Sequence, residues 1–155
     1  MKYIKIAKEL KGVNIKWNNG KIFPDYKYNS GSYVSQRRIN KAIKIVLAIL
    51  DEEENKILKA FQELNNKRYN GKHNLKVNFK LAKEKVKNTK LSKNTDSIHG
   101  ESNYYQIWIS NNKLSDDELV GTILHESLHF IATLNGNEIC EKDEHYVMSQ
   151  LGDDC

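Results

Sequence analysis

The 155-residue sequence predicts an α+β fold in one domain: a small mixed or antiparallel sheet packed on a central helix, with further helices behind it. Three observations carry this. Apolar residues recur at helical spacing over three stretches, near 34–50, 51–64 and 115–134. Two other stretches, 75–81 and 103–112, alternate apolar with polar residues as half-buried strands do. No linker composition or internal repeat divides the chain, and its length suffices to bury one core.

Each element follows in order. The first thirty residues read as short strands and turns, with Asn19-Gly20 as a hairpin signal between Val13/Ile15/Trp17 and Ile22/Phe23. Residues 29–32 (NSGS) break the pattern and are placed to cap a helix from about Val34 to Leu50, whose stripe is Ile39, Ala42, Ile43, Val46, Leu47 and Leu50. Asp51 with Glu54 resembles a capping box and starts a second helix, with Ile57, Leu58, Phe61 and Leu64 inward and Asn70-Gly71 as its stop. Leu75, Val77, Phe79 and Leu81 alternate as a strand, and the lysine-rich run after them reads as an exposed loop. Tyr105, Ile107 and Ile109 share one face of the next strand. Ser115 then caps a helix, with Glu118 at the capping-box position and Asp116 and Asp117 at its positive end. That helix is expected to run to about Leu134 and to stop at Asn135-Gly136, and a last one spans roughly Lys142 to Leu151.

Charge and composition narrow the classes. The formal net charge of +5 conceals an asymmetry: residues 1–93 carry 23 Lys and Arg against 8 acids, and residues 94–155 carry 2 Lys against 12 acids. A basic half suits nucleic acid or another polyanion. However, 22 of the 25 cations are lysines scattered among Asn and Ile, so a solvated surface is favoured over a nucleic-acid partner. The best apolar run, 42–50, is short and contains Lys44, so no membrane span is expected. The N-terminal stretch lacks a signal-peptide core, and a cytoplasmic protein is the expectation. Cys140 and Cys155 form neither a CxxC pair nor a disulfide framework and are expected as reduced thiols. Oligomeric state is not legible.

One helical turn carries the chemistry. In HESLH, His125 and His129 are four residues apart and lie on one face of a helix, where two imidazoles can meet one tetrahedral zinc ion. Glu126 lies about 100° further round, where it is better placed for a water at the metal than for coordination. The flanks Ile123, Leu124, Phe130 and Ile131 are apolar, as a buried helix requires.

This pattern resembles the HExxH signature of the zincin metallopeptidases. The resemblance spans about residues 103–151 and is closest to a compact, minimal gluzincin. It implies a Zn²⁺ cofactor held by His125 and His129, Glu126 as general base, and a peptide or protein substrate. Ala132 and Asn135 stand where the metzincin branch has its glycine and third histidine, so that branch is excluded. The first choice for the third ligand is Glu144, which resembles the gluzincin glutamate and leads the apolar series Val147, Met148 and Leu151, with His145 close behind it and Cys140 after both. Proteases of the SprT-like type, which act on DNA-bound proteins, also carry HExxH and a basic surface, and their downstream histidine favours His145. The resemblance further implies that the strand through Tyr105, Ile107 and Ile109 is a sheet edge binding extended substrate through its backbone. Tyr104, Trp108, Tyr146 and His99 are each able to stabilise an oxyanion, and nothing in the sequence selects among them. Two other readings stand beside the peptidase: a zinc-stapled binding module without catalysis, and a nucleic-acid-associated factor.

Overall fold

The chain begins with a helix rather than a strand in the computed structural model, which describes residues 1–17, 20–25, 31–93, 99–103 and 105–153. Helix α1 (Lys2–Glu9) buries Tyr3 and Ala7, one turn apart, against the helix that follows it. Its first amides are capped from far away: Glu52 accepts from the N–H groups of Lys2 and Tyr3 at 3.0 and 3.1 Å. A cap donated 50 residues later leaves no local signal, which is why the segment reads as strand. The Asn19 hairpin signal falls outside the described residues. Beside it stands one isolated bridge, Trp17 to Pro24.

Strand β1 (Ser32–Tyr33) leads into α2 (Gln36–Glu52), capped not by 29–32 but by Ser35, which accepts from the Arg38 amide at 3.2 Å. Helix α2 runs two residues past the expected stop. Asp51 therefore caps nothing, and α3 (Glu54–Tyr69) starts without a side-chain cap. Asn70 and Gly71 end α3 in left-handed backbone, as expected. Strand β2 (Leu75–Val77) is shorter than its alternation implies. Asn78 accepts from the Leu81 amide and starts α4 (Phe79–Lys87), so the lysine-rich run as far as Lys87 is a helix and not a loop. Phe79, Ala82 and Val86 are its buried stripe at helical spacing, and the lysines between them obscured it.

Strands β3 (Lys90–Leu91), β4 (Gly100–Ser102) and β5 (Ile107–Ile109) form one mixed sheet in the order β3-β5-β4, parallel on one side of β5 and antiparallel on the other. Strand β6 (Lys113–Leu114) pairs with β1. Helix α5 (Asp116–Leu128) opens with the full capping box: Ser115 accepts from the Glu118 amide at 3.1 Å, and the Glu118 carboxylate accepts from the Ser115 amide at 3.1 Å. Arg38 ties this start to α2 through Asp116 at 2.9 Å and the Leu114 carbonyl at 2.9 Å. The helix stops six residues early. After His129 the chain turns into a hairpin of β7 (Ala132–Leu134) and β8 (Asn137–Glu138), with Asn135 and Gly136 both at positive φ as its two-residue turn. Strand β7 is the centre of the sheet β2-β7-β8.

Helix α6 (Glu141–Gln150) closes the fold. Its first turn is clamped to α3, where Asp143 receives Arg68 at 3.0 Å and the Tyr69 hydroxyl. Helix α5 sits at the centre, in contact with α2, α4, α6, β4 and β5, and nearly every residue from Leu119 to Leu128 is buried. The architecture is α+β, with small antiparallel and mixed sheets and backing helices around one central helix. Among the described residues no helix is long and apolar enough to cross a membrane.

Because the capping box fixes the first turn of the central helix, Ser115→Ala is expected to cost about 1 kcal/mol of stability. Thermal unfolding should read this as a fall of roughly 2–4 °C in Tm; an unchanged Tm would show that packing alone holds the helix start.

Candidate metal centre

His125, Glu126 and His129 come together at the C-terminal end of α5. Their ligand atoms lie within 4.8 Å of one another. His125 is inside the last turn, whereas His129 is the C-cap, still at helical φ and ψ of −63° and −20°. The one-turn spacing therefore survives although the helix ends there.

Each imidazole is held from behind. Nδ1 of His125 bonds Oδ2 of Asp153 at 2.7 Å, and Nδ1 of His129 bonds Oε2 of Glu144 at 2.6 Å. A carboxylate on Nδ1 fixes the proton there and leaves the lone pair on Nε2, the arrangement that orients a metal-ligating histidine. Two imidazoles bound through Nε2 to one tetrahedral zinc at about 2.0–2.1 Å have ring centroids about 5 Å apart. The rings of His125 and His129 are 5.2 Å apart, so the donor set fits the ion.

One short helix supplies both carboxylates. Glu144 belongs to the first turn of α6, and Asp153 follows its end. The stop is a Schellman turn: the Gly152 amide bonds the Ser149 carbonyl at 3.2 Å and the Asp153 amide bonds the Met148 carbonyl at 3.0 Å. Gly152 has φ +102°, and a Cβ there would meet Cβ of Lys21 at 2.6 Å, so only glycine fits. That turn delivers a buried Asp153 to His125. Asp153 was not foreseen as a site residue. Gly152 announces the turn in the sequence, but which histidine the next residue reaches is a tertiary fact.

The two third-ligand candidates part company. The Glu144 carboxylate is engaged behind His129, on the ring nitrogen away from Nε2, which is the place of a supporting group rather than of a ligand. The His145 ring lies 5.5 Å from that of His125 and 6.5 Å from that of His129. The first separation suits a shared ion and the second exceeds it by about 1 Å. His145 is half exposed, with Nε2 3.8 Å from Glu141.

Glu126 is 9% exposed. Its Oε2 accepts from the Ser102 hydroxyl at 2.6 Å and lies 3.8 Å from Nε2 of His129. Ser102, on β4, is the second contributor that the sequence did not announce. Gly100 lets β4 lie this close to α5, since a Cβ there would come within 2.8 Å of Thr122 and 2.7 Å of the Trp108 carbonyl.

The expected substrate strand needs correction. Strand β5 is the centre of its sheet: Ile109 pairs with Leu91 on one side and Gly100 on the other, Ile107 pairs with Ser102, and both side chains are in the core. Tyr105 lies before the strand and is 77% exposed. Among the described residues, the sheet edge beside Glu126 is β4. Of the oxyanion candidates, His99 is paired with Glu118 at 2.8 Å near the far end of α5, and Tyr146 lies under the Arg68 guanidinium. Trp108 lies in the central strand β5, and Tyr104 falls outside the described residues. Cys140 is exposed as the N-cap of α6, and Cys155 also lies outside the described residues.

Electrostatics favour a proton shared by the His129–Glu144 pair. Burial pulls the pKa of His129 down, but the Glu144 hydrogen bond and the charges of Glu144 and Glu126 outweigh it, and the net shift is upward. Burial raises the pKa of Glu144, with His129 opposing it. No family model, curated protein or solved structure matches this chain.

Asp153→Ala and Glu144→Ala should each weaken zinc binding about 10–100-fold in a chelator competition, with Gly152→Ala giving part of the Asp153 loss. Equal affinity in all four proteins would show that the carboxylates do not orient the ligands. A metal binds neutral imidazole, so the raised pKa of His129 makes a proton compete at higher pH than for an ordinary histidine. Zinc affinity should therefore fall on acidification through that pKa and level off above it.

Proposed function

We propose that this protein is a zinc-dependent metallopeptidase of the zincin type, with His125, His129 and His145 as metal ligands and Glu126 as general base. The observation that carries the reading is the pair of imidazoles one turn apart, each with Nδ1 taken by its own carboxylate and Nε2 left over, beside a buried glutamate whose Oε2 is 3.8 Å from one of those nitrogens. A zinc ion held there would supply Lewis acidity, drawing the pKa of a water toward neutrality and polarising a carbonyl. Glu126 Oε2 takes the proton as the water attacks the peptide carbonyl and passes it to the departing amine nitrogen. The extended substrate lies along β4, the strand edge next to that carboxylate.

One observation favours a second reading. The three groups His125, Glu126 and His129 lie within mutual coordinating reach, so Glu126 can serve as a ligand in a non-catalytic, zinc-stapled binding module. Glu126→Gln separates the two. The peptidase reading predicts about one zinc per chain retained and cleavage of a peptide library reduced at least 100-fold. Loss of zinc from the same variant, with no cleavage by the parent protein, would establish the module. His145→Ala should weaken zinc binding more than Glu144→Ala does; the reverse order would return the third position to Glu144.

A further inference from the structure

We infer that Ser102 is a positioning residue for Glu126: its hydroxyl holds the carboxylate in the orientation used for proton transfer and couples that orientation to the strand on which substrate would lie. The inference rests on the peptidase reading and deepens it.

A glutamate on a helix has three rotatable side-chain bonds, and packing alone does not select the one orientation that points an oxygen at the reacting water. His129 has its holder on α6 and His125 has its holder in the turn that ends α6. Glu126 points to the other wall, where the Ser102 Oγ donates to Oε2 at 2.6 Å. That oxygen is also the one 3.8 Å from Nε2 of His129, so the group that Ser102 fixes is the one that faces the metal side of the ring. The bond is partly buried and charge-assisted, which makes it worth more than an exposed hydroxyl contact.

The strand is built to make this contact. Gly100 brings β4 within contact distance of Thr122 on α5, and Ser102 follows two residues later on the same side of the pleat. Among the described residues β4 pairs with β5 alone and lies at the end of the sheet order. A peptide added along its other edge would therefore order the same backbone that carries the Ser102 hydroxyl. Substrate binding and base orientation then share one element.

The test compares Ser102→Ala and Ser102→Thr with the parent protein in zinc affinity, kcat and KM on one cleavable peptide, and urea midpoint. Ser102→Ala should retain zinc affinity within about twofold, because the hydroxyl touches no ligand, and lose about tenfold in kcat with KM little changed. Ser102→Thr, which keeps the hydroxyl, should restore most of the kcat. A Ser102→Ala protein with parental kcat overturns the inference and leaves the peptidase reading standing. If the parent binds zinc and cleaves nothing, the peptidase reading falls, and with it a role in proton transfer. The Ser102–Glu126 pairing itself is decided without activity: Ser102→Ala should lower the urea midpoint of the parent and leave that of Glu126→Ala unchanged. Equal shifts in both backgrounds would overturn the pairing.

Discussion

The site depends on one constraint: an imidazole has two nitrogens, and whatever occupies one decides what the other can do. Asp153 and Glu144 occupy Nδ1 of His125 and His129, at 2.7 and 2.6 Å. Everything chemical about the centre follows from the Nε2 atoms this leaves. An HExxH run on a helix without those two carboxylates would be a pair of freely rotating rings on a core helix, with either nitrogen available.

The rest of the fold reads as support for that arrangement. Helix α5 is buried on almost every side, so its register cannot slip without exposing core residues such as Ile123 and Leu124. Helix α6 brings Glu144 from its first turn and Asp153 from its terminating turn. It is pinned at one end by Arg68 and Tyr69 on Asp143, and its terminating turn packs on Lys21. The early end of α5 at Leu128 also acquires a reason. A helix continued to Leu134 could not supply β7, which seats between β2 and β8. The acidic C-terminal half noted from composition is thus partly spent inside: Asp143, Glu144 and Asp153 are buried against named partners rather than displayed to solvent.

Local signals were legible where the chain itself supplies them. The Ser115–Glu118 box, the Asn70-Gly71 stop, most of the stripes of α2 and α3 (Leu47 and Leu58 are only partly buried, and Ile45 and Ile49 join the core), and the one-turn spacing of His125 and His129 all rest on neighbours within a few residues. Apart from α4, whose Asn78 cap and apolar stripe are local, what was missed rests on distant partners. Helix α1 is capped by Glu52, and α4 hides an apolar stripe among lysines. Strand β5 is central instead of an edge because β3 and β4, two and three residues long, flank it without any pattern of their own. Asn135-Gly136 is legible as a turn, but the same dipeptide stops a helix or closes a hairpin, and only the pairing of β7 with β2 decides. In the site, the three motif residues could be read from sequence. Asp153 and Ser102 could not, since a carboxylate 28 residues away and a hydroxyl 24 residues away carry no periodic signature.

The most direct test of this account is a crystal structure grown with zinc, with anomalous data collected on both sides of the zinc edge. One anomalous peak per chain about 2.0–2.1 Å from Nε2 of both His125 and His129, with Asp153 and Glu144 still on Nδ1, is the expected result. A peak at Nδ1 of either ring, or no peak at this helix end under saturating zinc, would contradict it.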